Sequence, residues 1–194
     1  MTFFKHQRKY KHQASISFAL IIASLSLTHS PAFAEKADSQ KMTAITSDRS
    51  DRNGKTNVTT LTGDVIIIRG TLIVKAARAV MTETATSTSY VLFSAPGVQV
   101  FFRQKRDGGA DLWVEGVADR VEYDDKTEIT KFISKADVKY LDGTVVTQEQ
   151  KGEYLSYDSL NDLFVAENNS SGTTVPGSGR TTLFIAPKSD KKVK

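Results

Sequence analysis

One strand-turn phrase occurs twice in this chain, and it limits the folds open to it. Leu61-Thr62-Gly63-Asp64-Val65, running on to Gly70-Thr71, returns as Ser134-Lys135-Ala136-Asp137-Val138, running on to Gly143-Thr144. In both copies the Asp lies six residues before the Gly, and the two aspartates are 73 positions apart (64 and 137). A small residue, an Asp, a β-branched residue, a short run and then Gly-Thr describes a strand, a tight bend and the next strand beginning. Repetition at this scale predicts a fold built by stacking similar β units.

The stretch 42–187 reads as strand, turn, strand almost throughout. Over 131–140, Phe132, Ser134, Ala136, Val138 and Tyr140 alternate with Lys131, Ile133, Lys135, Asp137 and Lys139, the period-2 pattern of a half-buried strand. Val98, Val100 and Phe102 alternate in the same way, as do Leu72, Val74 and Ala76. Residues 72–82 are rich in Ala, but Val74, Val80 and Thr82 and the repeat favour a strand over a helix. Asn53-Gly54, Asp107-Gly108-Gly109 and Asp142-Gly143 are hairpin signals, and 168–179 is a Gly/Ser/Asn-rich loop. At roughly nine or ten residues per strand and turn, 42–187 holds about 14 to 16 strands. Paired into two facing walls at about 4.8 Å per strand, they make a trough roughly 35 Å long with open ends. Open β edges must be capped or paired.

The first 34 residues belong to a different argument. Lys5, Arg8, Lys9 and Lys11 form a basic start, Ala14 to Leu27 is apolar, and Ala32-Phe33-Ala34 offers a small-x-small cleavage site. A cleavable signal peptide over 1–34 is expected, with a flexible mature start over 35–41, one domain over 42–187 and a disordered charged tail over 188–194. The leader holds four of the 26 Lys+Arg and none of the 22 Asp+Glu, leaving 22 against 22. A near-neutral mature chain removes the basicity that a nucleic-acid partner needs. The chain has no Cys, and His6, His12 and His29 all lie in the leader. Ser-His-Asp triads, Cys nucleophiles and the usual zinc sites are therefore excluded together, and no cofactor is implied. A non-enzymatic binding trough is the expectation. Asp64 and Asp137 are read as turn caps rather than a catalytic pair.

Four stretches carry a resemblance: Leu61 to Val65 with Gly70-Thr71; Val114-Glu115-Gly116-Val117-Ala118-Asp119-Arg120-Val121-Glu122-Tyr123; Ala136-Asp137-Val138; and Arg180-Thr181-Thr182-Leu183-Phe184-Ile185-Ala186-Pro187. In this order, behind an export leader, the chain resembles the OstA-like family of periplasmic lipopolysaccharide-transport bridge proteins. Ala76-Ala77-Arg78 and Lys135-Ala136-Asp137 depart from the family's usual steps, and Thr147 to Lys151 looks slightly expanded. The resemblance implies an all-β, slightly twisted, open-ended antiparallel β-jellyroll whose interior holds lipid A acyl chains. It also implies head-to-tail self-association, with an inner-membrane LptC-type jellyroll and an outer-membrane LptD-type N-terminal jellyroll as partners.

Ile45, Val65, Ile67, Leu72, Val74, Val100, Phe102, Val121, Tyr123, Phe132, Val138 and Tyr140 are the candidate lipid-facing residues. An inward valine also serves as plain sandwich core, so alternation alone leaves both roles open. By position, Phe102 and Tyr123 resemble family residues that face the lipid. The strand Thr181, Thr182, Leu183, Phe184, Ile185 and Ala186 resembles the one that meets the next jellyroll. The basic sets Lys131, Lys135, Lys139 and Arg103, Lys105, Arg106 are read as solvated outer faces, with lipid phosphates as the other possibility. Two further readings stay open: a membrane-anchored jellyroll that keeps its N-terminal span, and a β-scaffold enzyme acting on polysaccharide.

Overall fold

The computed structural model describes residues 34–187 of the 194. The charged tail and all but the last residue of the expected leader lie outside that range. A short helix, α1 (Ala34–Ser39), precedes β1 (Thr43–Thr46), β2 (Arg49–Asn53), β3 (Val58–Arg69), β4 (Leu72–Glu83), β5 (Thr88–Phe93) and β6 (Val100–Lys105). β7 (Leu112–Ala118), β8 (Arg120–Asp124), β9 (Ile129–Asp142), β10 (Val145–Asp158), β11 (Leu163–Glu167) and β12 (Thr182–Ile185) complete one antiparallel sheet of 12 strands.

Twelve strands replace the expected 14 to 16 because four of them are long enough to serve both walls. The first wall runs β2, β3, β4, β5, β8, β9, β10, β11, using the half of each long strand remote from its hairpin turn. The second wall runs β1, β3, β4, β6, β7, β9, β10, β12, using the halves next to the turns. Where the walls part, β3 and β9 carry bulges. Gly63 and Asp64 (φ 77° and 37°) face one residue of β4, and Ser134 and Lys135 (φ 63° and 53°) face one residue of β10. A bulge bends its strand and steepens the twist, so a continuous ladder can fold over on itself. At Gly63 a Cβ would lie 2.1 Å from an Asp48 carboxylate oxygen, which leaves room for glycine alone.

The repeat is now explicit: β1–β6 and β7–β12 are two copies of one unit. Asp48 donates its N–H to the Gly63 carbonyl (3.0 Å), and Asp119 donates to Ser134 (3.0 Å). Gly63 and Ser134 are 71 apart (134 minus 63), as are Asn57 and Glu128, both left-handed residues in turns. The hairpin turns, at Gly70 and Gly143, are 73 apart because the arms of β9–β10 have 14 residues against 12 in β3–β4. A further register shift at Thr147 falls where the sequence looked expanded. The two aspartates of the repeated phrase are therefore not equivalent. Asp64 sits on the bulge, whereas Asp137, read as a turn cap, lies mid-strand and pairs with Lys151 (3.2 Å).

The polar segment before β1 is tied down through Asp38. Asp38, 3% exposed, accepts a hydrogen bond from the Thr71 N–H (2.9 Å) and another from its hydroxyl. Gly70 leaves the space, since a Cβ there would lie 1.9 Å from Asp38 Oδ1. Replacing Asp38 with Ala is expected to lower stability by about 2 kcal/mol, the scale of hydrogen bonds to a charged group. A urea unfolding midpoint measures it, and an unchanged midpoint would mean the contact contributes nothing.

Candidate functional site

The two walls press their inner faces together. Deep between them, Leu61, Ala79, Leu92, Val121, Phe132 and Leu155 of the first wall meet Ile67, Val74, Phe102 and Val138 of the second. The Phe102 and Phe132 rings touch edge to face across the walls, centroids 5.4 Å apart. The interior is thus a packed apolar core where the sequence suggested an open trough. Nearer the free rims its character changes. The first wall carries Tyr90, Tyr123, Thr130 and Tyr157 in register, and the second carries Arg69, Gln104 and Tyr140. The interior is therefore graded from hydrocarbon at the fold to aromatic and polar groups at the rims.

At the rims the walls are joined by ion pairs. Arg69 Nη2 donates to both Glu128 carboxylate oxygens (3.0 and 2.9 Å), the Tyr123 hydroxyl donates to Glu128 (2.8 Å), and Arg69 also bonds Tyr123. All three are buried. Burial raises the Glu128 carboxyl above its ordinary range, outweighing the Tyr123 hydroxyl and the Arg69 guanidinium, which pull it down. Burial, aided by the Glu128 charge, pushes the Tyr123 phenol far up, so it acts as a neutral donor. Burial disfavours the Arg69 charge, but Tyr123 and Glu128 outweigh it and hold the guanidinium protonated. Further along the rim Arg106 pairs with Asp162 (2.7 Å) and lies over the Tyr140 ring at 3.6 Å.

The two ends differ. At the β1–β2 end a cleft of about 480 Å³ is lined by Ile45, Ser50, Arg52, Thr59, Leu61 and Met81, among others. At the β11–β12 end Val138, Tyr140, Gln148, Gln150, Phe164 and Leu183 enclose only about 30 Å³. β1 and β2 each pair on one side only, with β3, and β11 and β12 pair only with β10. Leu183, Phe184 and Ile185 are all more than half exposed.

All twelve candidate lipid-facing residues point inward. Val65, Ile67, Leu72, Val74, Val100, Phe102, Val121, Tyr123, Phe132 and Val138 are buried, and Ile45 and Tyr140 pack half-buried against them. Tyr123 differs from a purely apolar wall residue because Arg69 and Glu128 hold its hydroxyl. Lys131, Lys135 and Lys139 are on the outer face, paired with Glu122, Asp119 and Glu149. Arg103 and Lys105 lie over Trp113 (4.2 and 5.7 Å). Arg106 departs from the expected solvated face and turns into the rim. Sequence reasoning missed Leu155 and Tyr157, both fully buried, although the alternation in Tyr154-Leu155-Ser156-Tyr157 carries the signal. It also missed the Arg69–Glu128 pair, for which no local pattern exists.

Fold and interior define an open-ended, repeat-built β-jellyroll with an apolar inside and unpaired edges at both ends. The chain belongs to the LptA/(LptD N-terminal domain) LPS transport protein family, which matches residues 44–162. It is 30% identical over 176 residues to the lipopolysaccharide export system protein LptA of Haemophilus influenzae, covering 90% of this chain and 94% of that one. Its identity to the protein of the same name from Escherichia coli K12 is 29% over 143 residues, 73% and 74% of the two chains. The crystal structure of LptH from Pseudomonas aeruginosa, described as the LptA-homologous periplasmic component of the lipopolysaccharide transport device, superposes with a TM-score of 0.67. That match has 16% identity and covers 78% of this chain and 99% of LptH, which establishes the shared fold.

Proposed function

We propose that this chain is a periplasmic bridge for lipopolysaccharide, exported by removal of residues 1–34. It takes acyl chains between its walls and passes them along a head-to-tail run of jellyrolls from inner to outer membrane. The graded interior carries this reading, because an amphiphile needs hydrocarbon contact at one depth and polar contact at the rim. The twelve inward residues are the proposed acyl-chain contacts. Burying methylenes yields about 0.8 kcal/mol each, so several long chains would nominally bind too tightly to move on. Here the lipid must first part packed walls, losing contacts such as Phe102 on Phe132. That loss offsets much of the gain and keeps the binding reversible.

The internal repeat supports the assembly. Inside the molecule the units join where β5 pairs β8 and β6 pairs β7. The counterparts of β5 and β6 are β11 and β12, and those of β8 and β7 are β2 and β1; these four form the free edges. A second copy docked tail to head repeats a joint that the chain already makes once. Such a contact is heterologous and propagates, as a bridge requires. An LptC-type and an LptD-type jellyroll complete the run at its two ends.

The test is photocrosslinking in cells, with a benzoylphenylalanine at Phe102 in the core or at Phe164 near the β11–β12 end. Lipopolysaccharide adducts are expected from both sites and none from Trp113 outside. Failure to trap lipid from either inward site would sink the proposal.

A further inference from the structure

The side of the jellyroll opposite the fold is a seam between two rows of turns. The first wall ends in turns 54–57, 84–87, 125–128 and 159–162, and the second in 70–71, 106–111 and 143–144. Among the described residues no backbone hydrogen bond crosses from one row to the other. Side chains close the seam, chiefly Arg69 with Glu128 and Tyr123, and Arg106 with Asp162, whose second oxygen accepts from the Tyr140 hydroxyl (3.2 Å). Both cations belong to the second wall and both carboxylates to turns of the first.

The second wall also holds donors in excess. Arg69 Nε, Arg106 Nε and Gln104 Nε2 are buried without a hydrogen-bond partner. Gln104 is 2% exposed and precedes Arg106 by two residues on the same rim. Buried N–H groups are nearly always paired, so three unpaired ones on one rim suit a ligand rich in acceptors. Two guanidiniums and an amide in a row complement phosphate, which offers several acceptor oxygens and the bidentate geometry that arginine prefers.

We infer that the seam is a phosphate-exchanging latch, in which Arg69 and Arg106 trade Glu128 and Asp162 for the head-group phosphates of an amphiphile entering from the side. This rests on the reading that the interior takes lipopolysaccharide. The acyl chains part the walls, the phosphates stay at the rim beside the donors, and the arginines keep an anionic partner throughout. The released carboxylates lie on turns, where opening of the seam hydrates them; Asp162 is already half-exposed. Parting the walls with no anion to hand would strand the buried Arg69 and the mostly buried Arg106 without partners, which holds the seam shut.

The chain has no cysteine, so Lys126→Cys and Thr144→Cys, exposed positions on opposite rims, can carry spin labels for a distance measurement. Bisphosphorylated rough lipopolysaccharide is expected to lengthen the distance between labels. The same lipid stripped of phosphate is expected to need at least about tenfold more to do so, the scale of charge-assisted hydrogen bonds. Inorganic phosphate alone should leave the seam closed; opening by it would overturn the head-group assignment. Glu128→Gln with Asp162→Asn should speed uptake and keep the preference for phosphorylated lipid, and unchanged or slower uptake would refute the latch. Arg69→Gln with Arg106→Gln should abolish that preference. Should that pair fail to fold, Arg106→Gln alone, whose partner Asp162 is the more exposed of the two carboxylates, should weaken it, and full retention counts against the latch. Lipid crosslinked at residue 164 with an unchanged label distance overturns lateral entry and leaves interior binding standing. No crosslink and no opening removes both.

Discussion

Gly116→Val is expected to destabilise the protein by about 3 kcal/mol, the upper part of the range for overpacking a filled core. A Cβ on Gly116 would lie 2.3 Å from Phe132 Cε1 and 2.7 Å from its Cζ. Phe132 is fully buried on the opposite wall and braced edge-on by Phe102, so the ring has nowhere to retreat. Gly116 sits between Phe102 and Val138 in the second wall, and the missing side chain is the notch that receives the ring. Chemical unfolding at constant m-value measures the loss. Adding Phe132→Leu should recover part of it, because the shorter side chain frees the notch; purely additive losses would show that the two residues do not share the space. A wild-type midpoint for the single variant would mean that the walls separate at no cost, contrary to the packing described.

The second large effect concerns assembly, and the repeat supplies its register. Val74 and Gln150 are counterparts, being 76 apart like Ala77 and Glu153, the residues that face the two bulges. Their strand neighbours Phe102 and Leu183 therefore correspond. Gly116 corresponds to Ile45 by the 71-residue offset. Inside the molecule Phe102 faces Gly116, so Leu183 of one copy should face Ile45 of the next. The edge is oriented for this: Ala186 donates its N–H to Thr147 (2.9 Å), which by alternation turns the N–H groups of Leu183 and Ile185 outward. Ile45→Cys with Leu183→Cys should give a ladder of disulfide-linked oligomers under oxidation, because facing residues lie within disulfide reach. Leu183→Pro with Ile185→Pro removes both outward donors and should leave monomers by sedimentation, with the fold retained, since a Pro is tolerated at an edge. Oligomers that persist in the proline variant, or cysteines that never link, would refute the joint.

The polar rim and the two edges differ in how far they could be anticipated. The last strand was legible because Thr181 to Ala186 is a lone β-prone run after a loop. The inward residues of β3 and β9 were legible because each bulged strand keeps one parity: Leu61, Val65 and Ile67 on the one, Phe132, Ala136 and Val138 on the other. Their partner strands do not. In β4 the inward set changes from Leu72, Val74 and Ala76 to Ala79 and Met81, and in β10 from Gln148 and Gln150 to Leu155 and Tyr157. A period-2 reading carried through either strand loses its frame midway, because each faces two bulge residues with one of its own.

The chain's own pattern decided what local chemistry can decide: alternation made strands, Gly70 and Gly143 made the hairpins, and two similar phrases made two similar units. It also placed no cysteine anywhere and no histidine after His29, which removes cysteine and histidine chemistry from residues 30–194. The tertiary structure decided the rest, because each remaining feature depends on residues far apart in the chain. Four strands crossing both walls, Phe132 seated on Gly116, and Arg69 held by Glu128 across 59 positions arise only when the bulges fold the ladder over and bring the rims together.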